Sequence, residues 1–326
     1  MDTFQLAKNE LENQETIDRL ENIFMPLLAQ KRKNNYSFIH YTSAENALNI
    51  LDSKEIWMRS PACMNDYMEI AHGHQMLLNF FCNENNRKIF TESLDAYESG
   101  ISELILNGFD EWWKKIRNST FIASISEHHP QESRHGRLSM WRAYGSQSGK
   151  VGLIFNTPPR SNKKLGVILH PAAYFTQEEL DKMLFRIARS ISENIDYLKS
   201  LQKETIAGTV IISLILLAVC LKHPGFIEEK EWRLIFLPSM APNESWIEKS
   251  IESIHGIPQI IYKIPLKNSK ELEISGLSIP EILNGVLIGP TQFPLAMFDA
   301  FYSVLVKSEV PKPEEKIIVS DIPLRT

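Results

Sequence analysis

The sequence contains little cysteine: Cys63, Cys82 and Cys220 are the three in a chain of 326 residues. Their number is odd and no two are spaced as CxxC, so the usual patterns of a disulfide framework or a zinc ribbon are missing. We therefore expect reduced thiols and a cytoplasmic protein. An excess of one charge is also missing, because the formal net charge is -5 and the pI is about 6.0. No strong positive field is available to attract nucleic acid non-specifically.

Long hydrophobic runs are scarce as well. The first residues are polar and acidic and do not have the pattern of a signal peptide. One apolar run, 206–221, is shorter than the roughly 20 residues that a helix needs to cross a bilayer, and it contains polar residues. We expect it to form a buried central helix, and we expect no membrane contact.

Several common catalytic motifs are missing. There is no GxxxxGK[ST], no GxGxxG, no HExxH and no GxSxG, which removes the sequence signals of P-loop, dinucleotide, zinc-protease and hydrolase sites. His72 and His74 are two apart, so a helix would point them in different directions. His128 and His129 would need metal ligands from elsewhere in the chain. We therefore assign no metal ligands.

The pattern of elements that is present indicates an α+β fold. Helical spacing over 16–30 predicts an N-terminal helix, and longer helical segments are expected at 67–117 and 177–222. Strand-like segments occur at both ends of the chain and between the helices, in no regular βαβ alternation. They lie at 36–42, 55–59, 120–126, 150–156, 165–175, 231–237, 258–266, 285–289 and 316–320. We expect an N-terminal helix within 1–35 and a single α+β domain over 36–326, with a central mixed or antiparallel sheet and a large helical insertion.

Four segments mix polar groups into strand-like or buried surroundings. They are FIHYTS (38–43), SPACMND (60–66) with Glu69, SMWRAYG (139–145) and EEKEWR (228–233). Trp141 and Tyr144 share a helix face, which suits core packing or a stacking platform. Glu231 and Arg233 share a strand face, which suits a structural ion pair or a catalytic carboxylate held by arginine.

These segments, in this order, resemble a bacterial family catalogued as "domain of unknown function 2971". The resemblance runs from about 36 to 290 and rests on YSFIHYTS, the stretch ALNILDSKEIWMRSPACMNDYMEI, FIASIS, SMWRAYG, GLIFN, EKEWRLIF and ILNGVLIGP. The family usually has a Cys-Phe-Ser-like end where this chain has FIASIS.

A more distant likeness concerns the opening strand IHYT, its capped helix and the strand IWMRS, which resemble the start of ADP-ribosyltransferase folds. That likeness implies a split sheet and NAD as the substrate nucleotide, with an early histidine at the ribose and a late glutamate that stabilises the sugar's developing cation. By position these would be His40 and Glu231, with Arg59 or Arg142 facing the pyrophosphate. The remaining residues expected around the nucleotide are Tyr41, Thr42, Asn65, Asp66, Trp141, Tyr144 and Arg233.

The likeness also implies an intracellular toxin or phage-defence effector whose acceptor is a protein or a nucleic acid. Two other hypotheses stay open. The chain could be a non-catalytic interaction protein whose tryptophans and tyrosines are structural. It could also be a metal-dependent nuclease that uses Asp66, Glu69 and the loop histidines. The distance between His40 and Glu231 in the folded chain is the observation that separates these hypotheses best.

Overall fold

The computed structural model describes residues 13–34, 36–63, 69–144, 149–160, 162–241, 246–254 and 256–323. The fold is α+β, as predicted, and its centre is a ten-stranded, largely antiparallel sheet. The strands are β1 (Ser37–Ser43), β2 (Glu55–Arg59), β3 (Phe121–His128), β4 (Lys150–Phe155), β5 (Ile168–Pro171), β6 (Ala173–Tyr174), β7 (Leu221–Lys222), β8 (Glu231–Phe236), β9 (Glu248–Ile254), β10 (Ile257–Pro265), β11 (Leu283–Ile288) and β12 (Ile317–Val319).

Helices cover much of the rest of the described chain. They are α1 (Gln14–Phe24), α2 (Pro26–Arg32), α3 (Ala44–Ser53), α4 (Glu69–Cys82), α5 (Glu84–Asp95), α6 (Ile101–Ile116), α7 (Leu138–Ala143), α8 (Gln177–Glu193), α9 (Ile195–Leu198), α10 (Lys203–Cys220), α11 (Ile279–Ile282) and α12 (Pro294–Lys307). Short 3-10 turns at 61–63, 130–132, 163–165, 224–229 and 313–316 connect some of them.

The main sheet has the strand order β12-β11-β4-β1-β3-β2-β10-β9, and β8 and β5 extend from β3 off this path. Its ladders are antiparallel except for β11 with β12, while β6 and β7 form a separate parallel pair. Side chain–backbone bonds define several turns: Ser43 caps α3 by accepting from the amide of Asn46, as the sequence predicts. Lys54 then adopts a left-handed φ of 58°, which ends α3 and returns the chain into β2.

The helical layer consists of α1, α4, α5, α6, α8 and α10, which share one apolar core on one side of the sheet. Its central helix α10 is long and apolar enough to cross a membrane by length and composition, but 83% of that apolar window is buried inside the fold. This burial is what a core helix of a soluble protein shows. Gly73 permits close contact between α4 and α10, because a Cβ there would lie 2.0 Å from the carbonyl oxygen of Ala218.

Some element boundaries differ from the sequence predictions. The helix expected over 16–30 is two helices, because Pro26 cannot continue α1 and Met25 leaves the helical conformation. The strand expected over 165–175 is interrupted between β5 and β6. The helical stretch expected to reach Lys222 ends at Cys220 and continues as β7. Strand β9 was not predicted; it pairs with β10 through a turn at Gly256, whose φ is +80°.

Candidate functional site in a split of the sheet

Strand β3 has one continuous edge and one divided edge. Along the continuous edge, β8 pairs from Phe121 to Ser126. The opposite edge is shared, because β1 pairs with β3 only over 126–128 and β2 pairs with it only at Ile122. Beyond these points β1 continues with β4, and β2 continues with β10. The sheet is therefore split between β1 and β2, and the gap faces residues 123–125 of β3.

A cavity of about 640 Å³ occupies this split, which is a typical size for a small-molecule site. Helix α3, which connects β1 to β2, borders it. The lining residues are Ile39, His40, Tyr41, Thr42, Asn46, Asn49, Ile50, Asp52, Ser53, Glu55, Ile56, Trp57, Arg59, Ile122, Ala123, Ser124, Ser126, Met140, Tyr144, Glu229, Glu231 and Ile254. His40 and Glu231, the two residues expected at the ribose, thus line the same cavity.

In the gap, the side chain of His40 bonds to a backbone group of β3 that a neighbouring strand would bond in a continuous sheet. Its Nδ1 lies 2.9 Å from the backbone carbonyl oxygen of Ser124. A carbonyl only accepts, so Nδ1 carries the proton and Nε2 keeps its lone pair. Burial lowers the pKa of His40, although the bond to Ser124 acts in the opposite direction. At neutral pH the ring is therefore a neutral hydrogen-bond acceptor at the cavity wall.

Glu231 is a buried carboxylate that receives four side-chain donations. Its Oε1 accepts from the hydroxyl of Ser124 and from Nε of Arg233, and its Oε2 accepts from Lys222 Nζ at 3.0 Å and from Nη2 of Arg233 at 3.2 Å. Burial by itself would raise its pKa, but the charges of Arg233 and Lys222 and the Ser124 bond lower the pKa to about 2. The group is therefore ionised and rigidly held, and Ser124 joins it to His40 through one residue.

Glu229 is a second carboxylate of the cavity, and no sequence pattern distinguishes it from its neighbours in the run EEKE. Its Oε2 accepts from Lys222 Nζ at 2.7 Å, so one buried lysine bridges Glu229 and Glu231. The intervening Lys230 has a left-handed φ of 44°, which turns the chain just before β8. By its sequence, the run EEKE could be a solvated turn. Glu229 belongs to the site because this turn leads directly into β8, beside the cavity.

The other expected nucleotide contacts divide into two groups. Tyr41, Thr42, Arg59 and Tyr144 line the cavity with His40 and Glu231. Burial raises the pKa of Tyr41 to about 12, and its hydroxyl accepts from the backbone amide of Arg137, so this phenol is neutral and fixed.

Trp141, Arg142 and Arg233 are not cavity-lining residues. Trp141 is fully buried, its indole donates to the carbonyl of His135, and its ring packs edge-on against Tyr41, so it is a core residue. Arg142 is exposed on the other side of the short helix α7. Arg233 is fully buried behind Glu231 and also donates to the carbonyl of Val219. Asn65 and Asp66 lie outside the described residues.

No metal centre is formed by the described part of the chain, in which no three His, Cys, Asp or Glu side chains cluster. His74 stacks on Trp113, with ring centroids 4.2 Å apart. His128 is buried on β3, whereas His129 is half-exposed at the end of that strand. Asp66 lies outside the described residues, and the side chain of Glu69 does too.

The comparison with family models agrees with part of the expected resemblance. Residues 140–234, less than a third of the chain, match the family described as "Protein of unknown function (DUF2971)". The match begins within α7, includes β4 and the helices α8 to α10, and ends in β8 just after Arg233, so it contains Glu229 and Glu231. The likeness to this family is confirmed over that stretch. No curated protein and no solved structure matches the chain.

Proposed function

We propose that this protein is an NAD-dependent ADP-ribosyltransferase-like enzyme. The observation that carries the proposal is the meeting of His40 and Glu231 at one cavity, where Ser124 contacts both side chains. A neutral imidazole with a free lone pair and a fixed, ionised carboxylate are the groups that a sugar cation and its hydroxyls require. The sheet opens at this position, so a small molecule can reach both groups.

In the proposed reaction the bond between ribose C1′ and the nicotinamide nitrogen breaks. The bonding electrons leave with nicotinamide and neutralise its positively charged ring, while C1′ acquires the character of an oxocarbenium ion. Glu231 stabilises that cation electrostatically, and Nε2 of His40 accepts a hydrogen bond from a ribose hydroxyl. A nucleophilic atom of the acceptor then bonds to C1′ and releases its proton to solvent, so that the products are nicotinamide, the ADP-ribosylated acceptor and one proton.

The proposed setting is the cytoplasm of a bacterium, where the chain would act as a toxin or phage-defence effector. Three observations fit this setting. Cys63, Cys82 and Cys220 are free thiols, which suits a reducing compartment. The apolar helix α10 is mostly buried. The cavity has a size that suits a small nucleotide. The proposed acceptor of ADP-ribose is a protein or a nucleic acid.

The proposal is tested with NAD labelled in its adenylate moiety, incubated with the purified protein and with cell protein or nucleic acid. We expect nicotinamide release and transfer of label, both reduced at least 100-fold in Glu231→Gln and in His40→Ala. Arg142→Ala is the matched control, because that side chain is exposed and lies outside the cavity. Thermal melts of every variant are needed, since Glu231→Gln also removes a charge partner of buried Arg233.

Three outcomes would contradict this function: no nicotinamide release by the wild-type protein, no transfer of label, or full activity in both His40→Ala and Glu231→Gln. Nicking of nucleic acid that a chelator abolishes would favour the nuclease hypothesis instead. Growth inhibition on expression in bacteria, lost in His40→Ala, would support the effector role.

A further inference from the structure

Strand β2 presents a row of polar and aromatic side chains to the cavity. Residues two apart on a strand share a face, so Glu55, Trp57 and Arg59 point one way, while Ile56 and Met58 point into the core. All three members of the first set line the cavity, and Ile56 of the second set also borders it. Arg59 pairs with Ile122 of β3, and beyond this antiparallel pair the two strands separate, so that the row continues along β2 while Ser124 follows on β3. Trp57 and Glu55 follow in that order.

The first group of the row is a fixed cation. The guanidinium of Arg59 donates to Gln259 Oε1 from Nε and from Nη2, at 3.3 and 3.0 Å, and Nη2 also donates to the carbonyl of Cys63 at 2.8 Å. These acceptors are neutral. Among the described residues, no carboxylate pairs with Arg59. Its charge is therefore available to an anion such as a phosphate, and Nη1 makes none of these bonds.

The carboxylates of the same cavity differ, because each of them has a cation. Lys263 lies 3.3 Å from Glu55, and Lys307 pairs with Asp52. Lys222 bridges the two glutamates at the floor of the split. These lysines offset the negative charge of the carboxylates. The cavity therefore repels an anion less than the same carboxylates would if they were unpaired.

The second group of the row is an accessible indole. Trp57 is 37% exposed, although it lines a cavity, and Lys263 Nζ lies 5.4 Å from the centre of its ring. Lys263 is itself held by Glu55 and by Glu252, at 3.0 Å from the latter. The indole is therefore supported from the neighbouring strand, and Ile254 of β9 adds an apolar surface to the same cavity. An exposed, supported indole is a stacking surface for a nucleobase.

The spacing along β2 sets the order of these two groups. Side chains two residues apart on one strand face are separated by about 7 Å. That separation is similar to the one that a ribose imposes between its 5′-phosphate and its base. We propose that β2 binds the adenosine half of the nucleotide, with Arg59 at the pyrophosphate and Trp57 stacked on adenine. The nicotinamide riboside half then lies toward Ser124, His40 and Glu231. This inference rests on the proposed function and assigns the two ends of its substrate.

The test is calorimetric binding of two probes, ADP and nicotinamide mononucleotide, which require no bond cleavage. In Trp57→Ala we expect affinity for ADP to fall about 10-fold or more, with affinity for nicotinamide mononucleotide unchanged. Trp57→Phe should retain most ADP affinity, because a benzyl ring still stacks. Trp112→Ala is the matched control, since Trp112 also has a lysine over its ring, Lys115 at 4.7 Å, but lies on α6 outside the cavity.

The proposal is overturned if the wild-type protein does not bind ADP, if Trp57→Ala binds ADP as wild type does, or if it loses both probes equally. The two proposals fail separately. Trp57-dependent ADP binding without nicotinamide release from NAD would retain the adenosine subsite and remove the transferase. Nicotinamide release with an unchanged KM for NAD in Trp57→Ala would do the reverse.

Discussion

The helical layer and the split sheet differ in what their tight contacts are made of. In the helical layer the central helix α10 is surrounded by apolar side chains, and close approach depends on glycine, as at Gly73. In the split the close contacts are hydrogen bonds and ion pairs, centred on Ser124 and Glu231. The apolar packing of the helical layer stabilises the fold but offers no polar groups to a ligand. The cavity in the split has fixed polar groups and can therefore recognise one. Stability and recognition are therefore located in different parts of this molecule.

Arg233 connects these two regions. It lies on β8, forms the ion pair with Glu231, and donates to the carbonyl of Val219 near the end of α10. Its side chain is completely buried. A buried charge that loses its partners costs far more free energy than an exposed one. A substitution at Arg233 should therefore lower the stability of the fold and alter the binding cavity at the same time.

The largest effect is expected for Arg233→Met. This change keeps the volume but leaves buried Glu231 without its arginine, and we expect the free energy of unfolding to fall by about 3–5 kcal/mol. Urea unfolding followed by circular dichroism measures it. Lys307→Met is the matched control: the exposed pair of Lys307 with Asp52 should contribute little. Equal stability of Arg233→Met and the wild type would show that the buried pair is not a structural junction.

A smaller effect is expected within the helical layer for Gly73→Ala. The new methyl group would meet backbone, Ala218 O at 2.0 Å, so α4 and α10 must separate, at a cost of about 2–3 kcal/mol in unfolding free energy. Gly108→Ala is the control, because its methyl would meet only the end of the Ile211 side chain, which can move. Both variants should retain wild-type affinity for ADP. Loss of ADP binding in a folded Gly73→Ala protein would contradict the separation of stability from recognition.

The smallest effect on stability is expected for Ser124→Ala. It removes one hydrogen bond to a charged group, at a cost of about 1.5 kcal/mol because Glu231 keeps its other donors, and it retains the backbone carbonyl that orients His40. Because the hydroxyl lowers the pKa of Glu231, its loss should raise that pKa. A carboxyl group with a depressed pKa contributes stability above its ordinary value of 4.5, and this contribution is lost as pH falls toward about 2. Acid unfolding of Ser124→Ala should therefore begin at higher pH.

The same variant can be examined by nitrogen NMR of the His40 imidazole, because the two ring-nitrogen resonances report which tautomer is present. Ser124→Ala should leave the proton on Nδ1, because the accepting atom is backbone. Nicotinamide release should fall through kcat more than through KM. A change of tautomer in Ser124→Ala, or an unchanged onset of acid unfolding, would show that Ser124 does not act as described.

Much of the local structure could be predicted from the sequence. The alternation in EIWMR places β2 at the residues where the structure has it, and Ser43 caps α3 as its position indicates. The apolar run that forms α10 is recognisable as a buried helix from its length and composition. The hairpin of β9 and β10 was missed, although Gly256 is a turn signal, because β9 is mostly exposed and carries little hydrophobic pattern.

The site itself was only partly predictable. His40 and Glu231 could be named from the likeness to ADP-ribosyltransferase folds, which implies an early histidine and a late glutamate at these positions. Ser124, Glu229 and Trp57 could not, because serine in a strand, glutamate in a turn and a strand tryptophan have no distinctive sequence pattern. Their importance arises from neighbours that are distant in the chain. Trp141, in contrast, suits either core packing or stacking from its sequence pattern, and the structure buries it against Tyr41.

The sequence by itself determined the periodic, short-range features of this protein: the buried apolar helix, the strands, the caps and the balance of charge. These follow from side-chain volume, hydrophobicity and local backbone preference, which act over a few residues. Only the tertiary structure decided that β1 and β2 share one edge of β3 and diverge along it. Strand pairing is a long-range choice that buries whole faces at once, and it is this choice that opens a cavity and brings an imidazole and a carboxylate to it.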